Sequence, residues 1–391
     1  MHIDFTPEQK KLRDEMRAYM TELMTPELKA ELTGGGEGGG PEYMKAMHKL
    51  GRDGVLGQGW PTEWGGQGRS AIEQFIFADE IQTVGFPLPF LTLNTVGPTL
   101  REYGTDEQKD YFCKRILAGE VHFAIGYSEP DAGTDLASLR TTAVKDGDEW
   151  VINGQKMWTS LAGHADYIWL AARTDPKSKK HRGISMFLVP TDSPGFKYQP
   201  IHTVGGVTTN ATFYDDVRVP ADALIGGENN GWRLITGQLN HERISLMSVG
   251  PIRRNLRDVV EWAREAPHGA GKVIDVPWVQ SNLARVHSKI EVLRLMNWKQ
   301  AWAATHGQPN PAVASAIKVY GSELNIEAYR LLLEVLGPQA TLRRGSREAA
   351  IEGRIDGAYR NGLILTFGGG TNEVQRDIIA MVGLGMPHYK E

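Results

Sequence analysis

The run Thr141-Thr142-Ala143-Val144-Lys145-Asp146-Gly147-Asp148-Glu149-Trp150-Val151-Ile152-Asn153 decides the fold. Two short segments, 141–144 and 149–153, are rich in β-branched and aromatic residues and flank Asp146-Gly147, a dipeptide suited to a hairpin turn. Segments 166–172, 183–189 and 211–219 repeat that character, so the spacing predicts a small β domain over roughly 121–225. Upstream the chain reads as helical. Thr6 is a cap, Pro7 stands at the first helical position, and Leu12, Met16, Tyr19, Met20 and Leu23 follow at spacings of three and four. Residues 34–40, GGGEGGG, read as a surface loop. After Gly231 the helical period returns: Val279, Leu283, Val286, Ile290 and Leu293 step by 4, 3, 4 and 3, and Asn310-Pro311 opens a helix that stops at Gly337. Two long antiparallel helices with apolar seams predict a four-helix bundle. The order α, then β, then α makes an α+β multi-domain chain, unlike the strand–helix alternation of a Rossmann fold or a (β/α) barrel.

Length and composition bound the function. At about 150 residues per domain, 391 residues allow two or three domains. The 43 Lys+Arg and 47 Asp+Glu give a net charge of −4 with no long basic run, so a nucleic-acid partner is not expected. The single cysteine, Cys113, rules out an internal disulfide framework and thiolate-rich metal sites, which suits a reducing cytoplasm. Mean hydropathy is −0.35, and no apolar stretch approaches the ~18 residues of a membrane span. The opening MHIDFTPEQKKLRDEM carries charges where a signal peptide needs an apolar core, so export is not expected. Glycine is the oddity, at 45 residues, well above the usual ~7%.

Four motifs could carry chemistry. Ile125-Gly126-Tyr127-Ser128-Glu129-Pro130-Asp131-Ala132-Gly133-Thr134-Asp135 follows a candidate strand, and its small residues let backbone N–H groups and hydroxyls approach a planar or anionic ligand. A plain strand-to-loop turn has the same composition. Asn153-Gly154-Gln155-Lys156-Met157-Trp158-Thr159-Ser160 offers an indole face to stack on a ring and hydroxyls for its edge, although a core tryptophan would also read this way. Thr366-Phe367-Gly368-Gly369-Gly370-Thr371-Asn372-Glu373-Val374-Gln375-Arg376 runs three glycines into a helix start, where a ligand can meet free N–H groups. It is neither a Walker loop nor a dinucleotide fingerprint. Leu239-Asn240-His241-Glu242-Arg243 lies in a helix with Glu242 toward the apolar side; from spacing alone, a carboxylate paired with a neighbouring arginine is the simpler account, and His241 reads as a packed histidine.

Taken in order, these motifs, with Trp60-Pro61-Thr62-Glu63-Trp64-Gly65-Gly66 and Tyr103-Gly104-Thr105-Asp106-Glu107-Gln108-Lys109, resemble the flavin-dependent acyl-CoA dehydrogenase family over nearly the whole chain. The resemblance implies an N-terminal helical domain (1–122), a middle β-barrel-like domain (123–228) and a C-terminal four-helix bundle domain (229–391). It implies FAD between the β domain and the bundle. Ser128, Thr134, Trp158 and Ser160 match positions around the isoalloxazine ring, with Tyr127, Gly133 and Thr159 beside them, and Thr371 and Glu373 match positions near the rest of the flavin. The acyl-CoA thioester would lie on the other flavin face, near Thr134, Asn240, Arg243, Gly369 and Gly370. No metal is implied.

The family chemistry needs a carboxylate to take the α-proton while hydride leaves the β-carbon. A solvated glutamate, at pKa ~4.3, is too weak a base, so its site must be dry. In one branch of the family the base precedes the glycine-threonine pair of the C-terminal motif, and here that position is Gly369. In a second branch it lies in an L-x-x-E-R pattern, which Leu239 to Arg243 matches, so the resemblance makes Glu242 the base. Glycine at 369 leaves room for a branched or bulky acyl group. Two departures concern the neighbouring subunit. The stretch that usually reaches FAD across the interface is replaced by Ala263-Arg264-Glu265-Ala266-Pro267-His268-Gly269-Ala270-Gly271, and a second by Glu334-Val335-Leu336-Gly337-Pro338. This asymmetry resembles the catalytic α subunit of bacterial α2β2 enzymes that shorten cholesterol-type steroid side chains by β-oxidation. In those a diverged, acyl-CoA-dehydrogenase-like second subunit completes the FAD site, and electrons pass to an electron-transferring flavoprotein. The alternatives are a branched-chain or long-chain fatty acyl-CoA dehydrogenase homotetramer, a flavin oxidase or monooxygenase, and a non-catalytic flavin- or acyl-CoA-binding subunit, which the presence of Glu242 disfavours. Pro251, inside the proposed first bundle helix, predicts a kink there.

Overall fold

The computed structural model describes residues 4–33, 38–242, 247–308 and 310–387, and of 239–242 the backbone alone. Helices fill the N-terminal third: α1 (Pro7–Leu23), α2 (Pro26–Thr33), α3 (Pro41–Arg52), α4 (Ala71–Val84), α5 (Gly97–Tyr103) and α6 (Asp106–Ala118). Thr6 caps α1 in a reciprocal box: its hydroxyl accepts from Gln9 N at 3.2 Å and the Gln9 side chain accepts from Thr6 N at 3.1 Å. Leu12, Met20 and Leu23 are buried, as the period requires. Of the glycine tract, residues 34–37 lie outside the described residues.

The middle third forms β1 (Phe123–Gly126), β2 (Thr142–Asp146), β3 (Glu149–Lys156), β4 (Tyr167–Arg173), β5 (Ile184–Pro190), β6 (Phe196–His202), β7 (Thr208–Pro220) and β8 (Leu224–Ile225). They pair in the order β6-β7-β3-β2-β4-β5-β8, with β1 parallel to β4, and β6 and β8 end the path without pairing to each other. The β2–β3 hairpin sets Asp146 opposite Glu149, so its turn residues are Gly147 and Asp148, one position beyond the expected pair. Gly147 takes the left-handed φ of +62° that this tight turn needs. Strand β6 escapes a sequence reading because it is an edge strand containing Pro200 and is mostly exposed, so it shows no apolar alternation.

Strands β4 and β5 are nearly continuous apolar runs because both faces of the sheet are covered. Trp169 and Ala171 of β4, with Met186 and Leu188 of β5, join a core shared with Phe86, Leu93 and Val96 of the helical domain. On the opposite face Ile168, Leu170, Ala172, Phe187 and Val189 pack with Trp150 and Val217.

The described residues after β8 are mainly helical: α7 (Gly231–Glu242), α8 (Gly250–Glu265), α9 (Pro277–Thr305), α10 (Pro311–Leu336), α11 (Arg354–Gly362) and α12 (Asn372–Ile378). The five seam residues from Val279 to Leu293 are all buried, and removing each side chain from water contributes on the order of 1.5–3 kcal/mol. Asn310 caps α10, its Oδ1 accepting from Ala312 N at 2.9 Å and Val313 N at 3.3 Å. Helices α8, α9 and α10 pack on one another, and α11 and α12 close against α10. The expected kink at Pro251 is not present. Pro251 sits in the first turn of α8, where a proline forfeits no helical hydrogen bond. Asp79 of α4 fixes that start, accepting from Ser248 Oγ at 2.7 Å, Gly250 N at 3.2 Å and Arg253 Nη2 at 2.9 Å.

Candidate active site

The structure joins the first two motifs. The loop after β1 meets the end of β3 where Met157 N donates to Ser128 O at 2.8 Å. Beneath that joint Lys156, wholly buried, donates from Nζ to Glu129 Oε1 at 2.8 Å and to Tyr127 O at 3.0 Å. The Glu129 carboxylate also accepts from Arg140 N at 2.6 Å and Thr141 N at 2.9 Å. Burial pushes the Lys156 ammonium down to about 8, against the pull of Glu129. Burial works to raise the Glu129 carboxyl, but the Lys156 charge and the hydrogen bonds together hold it below its ordinary value.

Above the joint Trp158 is held at φ +64°, a left-handed conformation that costs a non-glycine residue on the order of 1–3 kcal/mol. The flanking bonds enforce it. Thr159 N donates to Asn210 O at 2.9 Å, and Asn210 Nδ2 donates to Thr159 O at 2.9 Å. Thr159 is buried with its hydroxyl 3.3 Å from that of Thr212, whereas the Ser160 hydroxyl lies 3.5 Å from that of Thr209. Trp158 itself is 57% exposed, so a strained indole presents a bare apolar face. Gly133 and Thr134, in the loop that carries Ser128, are exposed, and a Cβ added at Gly133 would meet nothing within 4 Å. Such a cradle, flat and apolar with hydroxyls at its rim, fits a ring system of the flavin type. A cavity of about 190 Å³ bounded by Glu129, Ser138, Arg140 and Gln155 lies beside it without including Trp158.

The glycine loop is anchored separately, on α10. Lys318, 3% exposed, donates to Gly370 O at 2.6 Å and Asn372 Oδ1 at 2.9 Å. Burial pushes its ammonium down to about 8, with Glu373 pulling upward. Thr371 caps α12, accepting from Val374 N at 3.2 Å, while Glu373 is exposed in the first turn. Gly369 has φ +69° and open space around its missing Cβ, so a side chain there would meet backbone strain rather than a clash. Replacing Lys318 by methionine takes the lysine donor from Gly370 O and leaves Asn372 Oδ1 with Ser322 Oγ at 3.1 Å, so it is expected to cost about 1–3 kcal/mol, read as a lower thermal midpoint together with faster proteolysis within 366–372.

The β domain and the bundle approach each other at the β6–β7 turn, where a Cβ on Gly205 would lie 3.1 Å from Asn361 Cα of α11. Helix α7 packs against α5, β5 and the π-helical turn Leu91–Val96, and so wedges between helical domain and sheet. Glu242 and Asn240 belong to α7, with their side chains undescribed, and Arg243 lies outside the described residues. Sequence reading quoted Glu129 and Lys156 without a role and missed Asn210, Gln238 and Lys318. Two signals were available. Lys156 shares the inward parity of Trp150 and Ile152, and Lys318 falls on the apolar face of α10 beside Ile317 and Gly321. Among the described residues no helix is long and apolar enough to cross a membrane, and no three His, Cys, Asp or Glu side chains converge as a metal site.

Residues 6–120, 124–217 and 229–384 match the family models for the acyl-CoA dehydrogenase N-terminal, middle and C-terminal domains. The chain is 57% identical to acyl-CoA dehydrogenase FadE26 of Mycobacterium tuberculosis, covering 99% of each. It superposes on the crystal structure of the ChsE4-ChsE5 complex from the same organism with TM-score 0.93 at 57% identity, covering 100% of both chains. A structure of the Tcur3481-Tcur3483 steroid ACAD is 49% identical, with TM-score 0.94 and complete coverage of both chains.

Proposed function

The chain belongs to the acyl-CoA dehydrogenase family, and from that premise we propose that it dehydrogenates a bulky, α-methyl-branched steroid side-chain acyl-CoA across the α,β bond with FAD as cofactor. Family membership makes it an acyl-CoA dehydrogenase; the substrate, the flavin contacts and the assembly are our reading. The observation that carries it is Trp158, an exposed indole held in a strained conformation beside a loop of small residues. Strain that the surrounding bonds hold in place in this way clusters at ligand clamps and active sites.

In this reading the three segments 1–122, 123–228 and 229–391 divide the work. Ser128, Thr134 and Ser160 hold the edge of the ring, Thr159, buried and bonded to Asn210 and Thr212, anchors the turn from beneath, Trp158 covers a face, and the backbone at Tyr127 and Gly133 allows close approach. Thr371 and Glu373 serve the remainder of the cofactor. Bound FAD supplies the acceptor for the hydride that leaves the β-carbon. Glu242 takes the α-proton, Asn240 and Arg243 stand along the thioester, and Gly369 and Gly370 leave the width that a branched acyl group needs. Exclusion of water by the substrate raises the Glu242 carboxyl toward the range of a useful base. Electrons then pass to an electron-transferring flavoprotein.

The chain is read as one half of an α2β2 assembly with a diverged second subunit. In support, 263–271 forms the end of α8 and a small exposed hairpin, Pro267–His268 against Gly271–Lys272, in place of the usual donor stretch. Two of the similar structures, the ChsE4-ChsE5 complex and the Tcur3481-Tcur3483 steroid ACAD, pair two named proteins, and the second is called a steroid enzyme. Produced alone, the chain is expected to carry little FAD; co-produced with its partner, it should carry two flavins per tetramer and reduce them with a steroid side-chain acyl-CoA far faster than with a straight-chain one. Flavin absorbance against the mass of the purified complex decides this. Stoichiometric FAD in a stable homotetramer would end the heteromeric reading.

A further inference from the structure

Among the described side chains of α7, the Gln238 amide ties the helix to the cradle. Gln238, 2% exposed, accepts at Oε1 from Tyr127 OH at 2.6 Å and from Trp169 Nε1 at 3.1 Å. The same indole N–H also reaches Tyr127 OH, at 3.0 Å. Three elements therefore meet at one oxygen: α7, the completely buried Trp169 of β4, and the loop after β1 that carries Ser128. Two donors occupy both lone pairs of that oxygen, which fixes the amide's orientation. In a dry interior such a cluster is directional and stiff. Among the described side chains of α7, the other buried ones, Leu234 and Ile235, make apolar contacts, which resist separation but not sliding or rotation.

Residue 238 stands one helical turn before 242 on the same helix, so the two positions share a face. We propose that Gln238 is a positioning residue: its hydrogen bonds to Tyr127 and Trp169 set the register of α7 against the cradle and thereby place Glu242 relative to the flavin. This rests on the functional reading above. It assigns a catalytic consequence to a buried polar cluster that touches neither substrate nor cofactor. Displacing a reacting group by about 1 Å costs on the order of 10²-fold in rate, so the effect should be kinetic before it is structural.

The test uses the flavin-loaded enzyme prepared with its partner subunit, mixed rapidly with the CoA thioester of an α-methyl-branched steroid side-chain acid. Gln238→Met keeps the volume and removes the acceptor. Its flavin reduction, per bound flavin, is expected to slow by about 10²-fold with little change in the substrate concentration for half-maximal rate. Tyr127→Phe combined with it should be no slower than Gln238→Met alone, because both remove one cluster. A normal reduction rate per bound flavin in Gln238→Met would overturn the inference, whatever its thermal stability. If that variant does not assemble, Tyr127→Phe is read by the same rate: slowing supports the positioning role and normal speed overturns it. Glu242→Gln run alongside separates the two claims: a normal Gln238→Met beside an inactive Glu242→Gln rejects positioning alone, whereas an active Glu242→Gln rejects the base.

Discussion

Glu242→Gln is expected to leave FAD loading and thermal stability near their original values and to lower turnover by about 10³-fold or more, at the upper range of what a positioned general base contributes. The substitution conserves shape and removes only the capacity to accept a proton. Three further readouts should move with it. Substrate should bind without bleaching the flavin, exchange of the α-hydrogen with solvent deuterium should disappear, and the acid limb of kcat/KM should flatten because that limb reports the ionisation of the base in the free enzyme. Glu242→Asp keeps the carboxylate but withdraws it by one methylene, so it should retain partial activity with an unchanged limb. Full turnover in Glu242→Gln would move the base off α7 altogether. The glycine at 369 makes the test clean, since the other position at which the family resemblance places a base offers no side chain.

How far the sequence exposed this molecule depends on which forces act locally. The long helices were legible because their signals lie within a few residues: the Thr6 box, the Asn310 cap and the α9 seam are all found where spacing puts them. Strands β4 and β5 were legible as apolar runs, although only the structure shows that alternate residues feed two different cores. Pro251 misled because periodicity continues across 231–265 while the helix does not; whether a proline kinks a helix or begins one depends on the chain before it. At the site, the motifs announced themselves by composition, but their joining did not. The bond from Met157 to Ser128 and that from Asn210 to Thr159 span 29 and 51 residues of chain, and no periodicity reports such pairs. The residues that hold the site together were the least visible, since a buried lysine looks in sequence like a solvated one.

Lys156→Met is expected to destabilise the fold by about 3–5 kcal/mol, the range for breaking one side of a buried ion pair. Removing the ammonium leaves the Glu129 carboxylate in the interior with the backbone donors of Arg140 and Thr141, and removes the Lys156 bond to Tyr127 O. The loop and the Trp158 turn share this foundation, so flavin affinity should fall with stability, seen as loss of FAD on gel filtration beside a lowered denaturation midpoint. Replacing both partners, Lys156→Met with Glu129→Leu, should recover much of the stability because no unpaired charge remains, yet should not recover flavin retention, because the loop loses the bonds at Arg140 and Thr141 that orient it. The two readouts therefore part company in the double variant if the pair serves the site rather than the fold alone. The pH dependence has a definite sign. Below about 8 Lys156 is charged in both folded and unfolded chains and its burial cost is present in full. Between about 8 and the ordinary lysine value of 10.5, the unfolded chain holds a proton that the native state has released, so this group makes stability rise with pH. Lys156→Met should lack that contribution, and the difference in unfolding free energy between original and variant should widen as pH climbs through that window. A difference constant from pH 7 to 10 would show that Lys156 keeps its proton when buried and would point to a stronger hold by Glu129 than burial can offset.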